Sequence, residues 1–463
     1  MATQEPTNTQ DFITSFKGFM DKAVAQAPKE EPVFQRLLHD HFGTDPKDLP
    51  TVIEEFAKSD HPNLHLALTT LLAREGWRST LRGFIAANDH IGVKFSNLLN
   101  AQHGWEAKEG PVEYVNIELH DDRVLACVQA GLYFIHHVDE PLALLVRGPR
   151  DWGMNAGIGV EVMALQPKSA ESFLSELRTT MRAKNVYRSH VVSLLLDNRR
   201  SLVVCFHRLP SIAREDIILP QGVLERIERQ TITFSKQREK LKAAGRHIKR
   251  GMLLYGAPGT GKTLTAMYLA SQMPERTVIL LTGGGVGLLE QSCQMARLLQ
   301  PATVILEDVD LIAEERTHQE TGCNALLFAL LNQMDGLADD ADILFLLTTN
   351  RPDILEPALA SRPGRIDQAI EVPLPDRACR QRLFDLYGQG LTLRLERLPQ
   401  LIDQTEGVSG AFIRELMRKA ALFAADEADE LIVEDHHVDE ALRELVFDGG
   451  ELTKRLLGAS RAF

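Results

Sequence analysis

Residues 256 to 263 read Gly256-Ala257-Pro258-Gly259-Thr260-Gly261-Lys262-Thr263, and what flanks them decides the fold. Gly251-Met252-Leu253-Leu254-Tyr255 before them is apolar and strand-like, and Leu264 to Met273 after them has helix-forming composition. A glycine-rich turn between a strand and a helix leaves successive backbone N–H groups facing one concavity. With the helix N-terminus behind it, that concavity binds phosphate. Gly256, Ala257, Pro258, Gly259, Thr260, Gly261, Lys262, Thr263 and Leu264 are therefore the expected nucleotide-binding residues. Lys262 would reach the β- and γ-phosphates of ATP, and the Thr263 hydroxyl would ligate Mg²⁺. The competing reading, a chance glycine loop, is weakened by the strand before and the helix after.

Two later segments repeat the strand-then-polar pattern. Thr303-Val-Ile-Leu306 runs into Glu307 and Asp308, with Asp310 close behind. An apolar strand ending in acids delivers carboxylates to the C-terminal edge of a parallel sheet, where ligands bind in doubly wound folds. One acid is expected to hold the metal and the other to polarise the attacking water. Ile343-Leu-Phe-Leu-Leu347 ends in Thr348, Thr349 and Asn350. The Asn350 amide is placed to touch the γ-phosphate or the water, although alone it reads as a strand-ending turn. Arg362 and Arg365, in the turn Ala360-Ser-Arg-Pro-Gly-Arg-Ile-Asp367, suit a γ-phosphate bound by a neighbouring protomer; the bland reading is a surface salt-bridge loop.

Composition sets the outer limits. At 463 residues the chain has room for about three domains. A net charge of −13 disfavours a nonspecific nucleic-acid or anionic-membrane surface. The five cysteines are scattered, with no CxxC pair, so neither a zinc site nor a disulfide framework is indicated, and a reducing cytoplasmic setting fits. No stretch approaches the apolar length of a membrane span, and the polar start, Met1 to Asp11, does not read as a signal peptide.

The texture of the sequence predicts four parts. Residues 1–108 read as helical, with Phe12, Ile13, Phe16, Phe19 and Met20 forming an apolar face expected in the core. Residues 109–210 read as an α+β domain for client or partner recognition, with β-rich runs at 112–119, 123–128, 132–135, 143–146 and 201–206 and a helix over 169–184. His136-His137 suggests a metal, but adjacent residues of a strand point to opposite faces and no third ligand is spaced to join them. Residues 211–376 read as the nucleotide domain and 377–463 as a small helical lid. The basic run Lys236 to Arg250 carries seven Lys or Arg residues and reads as a solvated face leading to the phosphate loop.

Together the motifs resemble the AAA branch of the AAA+ ATPases over Ile212 to Asp448, about half of the chain. The resemblance implies an α/β fold: a doubly wound parallel P-loop core with a C-terminal helical lid. It makes Gly256 to Thr263 the Walker A motif, Glu307-Asp308 the Walker B acids, Asn350 sensor 1, and Arg362 and Arg365 the arginine fingers. Asn332-Gln-Met-Asp335-Gly336-Leu looks like the segment that senses the adjacent subunit's nucleotide, and Glu406 to Ala411 occupies the sensor 2 region without its arginine. It further implies ATP and Mg²⁺ as cofactors, a homo-oligomer of hexameric form, and a protein client. The usual Asp-Glu order is inverted here. That inversion, with the approach from Ile217 to Gly251, is similar to the mitochondrial AAA ATPases that translocate the Rieske protein. By direct mapping Asp308 becomes the base and Glu307 the metal-side acid.

The family's threading loop is the second departure. Thr282-Gly-Gly-Gly285-Val-Gly-Leu-Leu289 has no aromatic to grip an unfolded chain. No His-Glu-x-x-His occurs, so the metalloprotease motif of some AAA proteins is missing from this sequence. The expectation is an ATP-hydrolysing ring that remodels, assembles or disassembles protein partners. A nucleotide-gated scaffold with slow hydrolysis is the alternative. A nucleic-acid motor fits less well, because no basic-aromatic platform accompanies the acidic balance.

Overall fold

In the computed structural model, five apolar runs between Arg250 and Glu371 pair as parallel strands: β10 (Arg250–Tyr255), β11 (Thr277–Leu281), β12 (Ala302–Leu306), β13 (Ile343–Thr349) and β14 (Gln368–Glu371). The structure describes residues 13–19, 32–85, 93–99, 107–137, 140–149, 157–198, 200–281, 287–310, 330, 332–334, 336, 341–353, 366–427 and 430–448. The chain divides into two compact units, Met1–Glu118 with Val124–Lys184, and Leu119–Arg123 with Asn185–Phe463.

In the second unit the strand order is β14-β10-β13-β12-β11-β8-β9, where β8 (Val191–Leu196) and β9 (Leu202–His207) form an antiparallel hairpin added at the edge. β8 lies parallel to β11, with Val191 opposite Val278. Strands in a parallel sheet are buried on both faces and so read as continuous apolar runs. β13 shows this: Ile343, Phe345 and Leu347 face one core with Leu289, Cys293 and Ala296 of helix α7 (Leu289–Leu298), while Leu344 and Leu346 face another. That second core includes Leu224 and Ile227 of α5 (Val223–Glu228) and Ala266 and Leu269 of α6 (Lys262–Ser271). The chain then builds a helical lid from α8 (Arg377–Tyr387), α9 (Leu398–Gln404), α10 (Gly410–Glu427) and α11 (Asp435–Arg443), plus a short parallel pair, β15 (Thr392–Arg394) with β16 (Ile432–Glu434). Phe384, Phe412, Leu416 and Val438 meet in its core.

The first unit is built on an entirely antiparallel sheet of order β1-β7-β6-β5-β2-β3, with β4 also on β5. Its strands are β1 (Thr51–Phe56), β2 (Trp77–Ile85), β3 (Lys108–Gly110), β4 (Glu113–Glu118), β5 (Val124–His137), β6 (Glu140–Arg147) and β7 (Ile158–Ala164). Helices cover both faces. α2 (His61–Leu72) and α4 (Pro167–Ala183) pack against Leu142, Leu144 and Val146 of β6, while α1 (Val33–Phe42) and α3 (Phe95–Leu98) pack against Ala143 and Leu145.

Three sequence expectations need correction. Residues 1–108 are not a helical region: β1 and β2 run through it and join the sheet. Residues 109–210 are not one domain either, because β8 and β9 belong to the nucleotide-domain sheet and the first unit stops at Lys184. The helix at 13–19 exists, but Ile13, Phe16 and Phe19 are 58%, 54% and 67% exposed rather than core; Phe12 and Met20 fall outside the described residues. No described helix is long and apolar enough to cross a membrane.

Candidate functional site

The polar ends of three neighbouring parallel strands converge on the phosphate loop. β10 delivers Gly256, β12 delivers Glu307 and Asp308, and β13 delivers Asn350. Gly256 has φ +150°, and a Cβ there would stand 2.3 Å from the Val372 carbonyl oxygen. Gly259 has φ +74°, and a Cβ there would strike Ser409 and Ala411 of the lid. Both positions therefore demand glycine. The loop is sewn to the lid by the Ala411 N–H, which donates to the Gly259 carbonyl at 3.1 Å.

Lys262 opens α6 and is only 5% exposed. Its ammonium folds back onto the loop, donating to the carbonyls of Gly256 (2.9 Å) and Ala257 (2.8 Å). Burial pulls its pKa down to about 8, against the opposing pull of the Asp308 and Asp310 charges. A triphosphate would restore a full counter-charge to this ammonium.

The acids beyond β12 divide by environment. Glu307 is pushed above the usual carboxylate range, chiefly by burial and then by the Asp308 charge, while a hydrogen bond from the Thr263 side chain opposes both. Its Oε1 is buried with no hydrogen-bond partner. An unpartnered carboxylate oxygen beside a threonine hydroxyl is the hard-oxygen donor set that suits Mg²⁺, so the residues present fit the metal. Asp308 sits at φ +46°, a strained backbone for an aspartate. It is held there by its own N–H donating to Thr348 Oγ1 (3.0 Å) and by Asn350 Nδ2 donating to its Oδ1 (3.1 Å). Asn350 and Asp308 thus touch one another.

Asp310, quoted in the strand-end motif but given no role from sequence, is the anchor of this cluster. It is 3% exposed, and its Oδ1 accepts from Thr349 Oγ1 (2.8 Å) and from the Asn350 N–H (3.1 Å). Its signal was a third acid two positions past Asp308 facing a strand that ends Thr-Thr-Asn.

Of these groups, the loop from Gly259 through Lys262 to Thr263, with Asp308 and Asn350, lines a cavity of about 440 Å³. Its other walls are Asp216 to Leu219 before the sheet, Pro373 and Pro375 after it, and Leu383, Tyr387 and Arg414 of the lid. The segment 216–219 is a second wall that sequence reading had treated only as an approach. Arg362 and Arg365, Asp335, and the glycines of 283–285 lie outside the described residues.

The basic run does not gather at the cavity. Arg250 stacks over Phe234 at 4.0 Å, Lys249 donates to the Met334 carbonyl (3.0 Å), and Arg238 pairs with Asp342 (3.4 Å). Among the described residues, Glu427, His436 and His437 cluster in the lid at a spacing a metal could bridge. However, His437 Nδ1 accepts the Glu434 N–H (3.0 Å), which leaves the ring proton on Nε2 facing Glu427 (3.1 Å). That geometry is a hydrogen-bonded pair rather than a ligand pair.

Residues 252–374 match the model of the ATPase family associated with various cellular activities, so the chain carries an AAA domain on a P-loop α/β core. It is 31% identical over 260 residues to a proteasome-activating nucleotidase of Thermococcus onnurineus, covering 53% of this chain and 65% of that protein. A proteasome-activating nucleotidase of Methanocaldococcus jannaschii is 30% identical, with 60% of it covered. The ATP-dependent zinc metalloprotease FtsH 4 of Sphaerobacter thermophilus is 33% identical over 230 residues, with 35% of it covered. The chain thus spans less than two thirds of the relatives it matches.

Proposed function

We propose that this protein is an ATP-binding and ATP-hydrolysing ring ATPase that remodels, assembles or disassembles protein partners. The observation that carries the reading is the meeting of Asp308 and Asn350 beside the buried Lys262 ammonium, at the open edge of a P-loop sheet. In this reading Gly256 to Leu264 cradle the triphosphate, and Lys262 releases its two loop carbonyls to meet the β- and γ-phosphates. Thr263 and Glu307 hold Mg²⁺, which supplies charge neutralisation to the phosphates when bound. Asp308 takes a proton from the attacking water, Asn350 orients that water, and Asp310 fixes Asn350. Arg362 and Arg365 act on the nucleotide of the adjacent subunit, so each site is shared by two copies in a homo-oligomer of hexameric form.

The inverted order Glu307-Asp308 is the feature shared with the Rieske-translocating AAA ATPases, and it supports action on folded or assembled clients. The glycine-rich 283–285 segment supports the same choice. The matched proteasome-activating nucleotidases support a protein client, and the scattered cysteines support a reducing, cytoplasmic setting. A second reading, a nucleotide-gated scaffold with slow hydrolysis, is favoured by the strained backbone of Asp308.

Steady-state phosphate release by the purified chain, measured across protein concentrations, tests the proposal. Turnover per chain should rise with concentration as shared sites form. Asp308→Asn should keep ATP affinity and lose turnover by about 100-fold or more. Full activity in a strictly monomeric chain overturns the shared site. Turnover lost in Glu307→Gln and kept in Asp308→Asn exchanges the two roles.

A further inference from the structure

The wall formed by residues 212–219 belongs to no strand, so something other than a ladder must set its position. A 3-10 turn at Arg214–Asp216 shapes it: Asp216 Oδ2 accepts the Ala213 N–H (3.0 Å), and the Ile217 N–H donates to the Arg214 carbonyl (3.1 Å). Ile217 and Leu219 sink into the core shared with α5 and α6, and Ile218 packs against the lid core. These contacts fix depth, but apolar packing does not fix the angle at which the turn leans over the cavity.

A polar chain does that. The Arg214 guanidinium grips Glu228 of α5 with two parallel bonds, Nε to Oε1 (2.9 Å) and an Nη2 bond to Oε2 (2.9 Å), and the same Nη2 also reaches Glu225 Oε1 (3.1 Å). Glu228 Oε1 in turn accepts the Tyr268 hydroxyl at 2.6 Å. Tyr268 is 3% exposed and lies on α6, the helix whose first residue is Lys262. An exposed Arg–carboxylate pair is worth little by itself. A bidentate fork onto a carboxylate whose side chain is 19% exposed, and which is braced by a buried phenol, holds geometry. Burial keeps the Tyr268 proton on, with a pKa near 12, so the hydroxyl is always the donor.

We propose that Arg214, Glu228 and Tyr268 form a clamp that sets the lean of the 213–219 wall over the cavity. The clamp thereby selects a nucleoside-bearing triphosphate over a bare polyphosphate. The three are positioning residues: none lines the cavity itself, whereas Asp216, Ile217 and Ile218 do. The proposal rests on the reading of the cavity as a nucleotide site. It assigns the clamp to the nucleoside half of the ligand and leaves the phosphate half to the loop.

The test compares ATP with inorganic tripolyphosphate, which engages the phosphate loop but has no base or ribose. Full-length wild type, Arg214→Gln and Tyr268→Phe are titrated with a fluorescent ATP analogue, and tripolyphosphate is the competitor. Arg214→Gln should weaken ATP by about 10-fold and Tyr268→Phe by about 3-fold, both raising KM while kcat holds, with tripolyphosphate affinity unchanged. Tyr268→Phe removes one oxygen from a packed ring and keeps the test alive where Arg214→Gln fails to fold. Equal weakening of both ligands, or variants that bind both as wild type does, overturns the clamp alone. A wild-type chain that binds neither ligand overturns the nucleotide reading, and the clamp with it.

Discussion

The two large sheets of this protein place buried charge differently. The antiparallel sheet of the first unit carries Glu161 in the middle of β7, 2% exposed, with both carboxylate oxygens satisfied: Arg147 Nη2 at 2.7 Å on one and the Phe95 N–H at 2.9 Å on the other. The parallel sheet of the second unit keeps its strand interiors apolar and sends its charges to the strand ends. There Glu307 is left with a bare buried oxygen, and Lys262 bonds only to loop carbonyls. A charge that is fully paired inside a fold holds the fold. A charge left short of partners at a sheet edge holds a place for a ligand.

That contrast can be broken by experiment. Glu161→Ala leaves Arg147 buried without its carboxylate and orphans the Phe95 N–H, so unfolding by denaturant should show a loss of about 4 kcal/mol in the first unit. A loss below about 1 kcal/mol would show the pair to be ornamental. Lys262→Ala should do the reverse, weakening ATP by about 100-fold while the ligand-free chain keeps its Tm, because the buried ammonium has no carboxylate bonded to it. Calorimetric titration and a thermal scan read the two halves; a large fall in Tm would place Lys262 with the structural charges.

Asp310→Ala sharpens the comparison, since this acid sits at the edge of the parallel sheet yet is paired. Losing the acceptor of Thr349 and Asn350 should lower stability by about 2 kcal/mol and slow turnover together, whereas an effect on only one would assign it to one class. The smallest effect belongs to Asp376, whose Oδ1 caps α8 by accepting the Cys379 N–H (2.8 Å). Asp376→Ala should cost about 1 kcal/mol at neutral pH. That hydrogen bond holds the Asp376 carboxyl below its ordinary value of 3.8, so its stabilisation is complete above that pH. It disappears as acid carries the pH down through the depressed native value, and denaturant melts of the two proteins should converge there.

The same contrast explains what was legible in the sequence. The parallel strands announce themselves because both faces are buried, so Met252 to Leu254 and Ile343 to Leu347 read as unbroken apolar runs ending in polar residues. The phosphate loop between strand and helix fixed the rest of that sheet's sense. β1 and β2 were not legible as strands. β1, Thr51–Phe56, finds its partner only in β7, far along the chain, and nothing local in Val-Ile-Glu-Glu names that partner. Residues 191–196 were not read as a strand and fell into the wrong domain, because the membership of β8 depends on pairing Val191 with Val278, another distant contact. Asp310 was visible as a letter but not as an anchor, since its role requires β13 to lie beside β12. The wall at 216–219 carries no motif: its place over the cavity follows from Arg214 reaching Glu228, a bond between side chains that no periodicity encodes.

The hydrogen bond from Ala411 to Gly259 has a mechanical side. It joins the phosphate loop to the first turn of α10, an 18-residue rod about 27 Å long at 1.5 Å per residue. Pivoted at that stitch, a rotation of about 5° swings the far tip by roughly 2 Å over such a length. In the proposed ATPase, a sub-ångström rearrangement around a departing phosphate would thereby become a displacement large enough to be felt by whatever abuts the outer end of the rod.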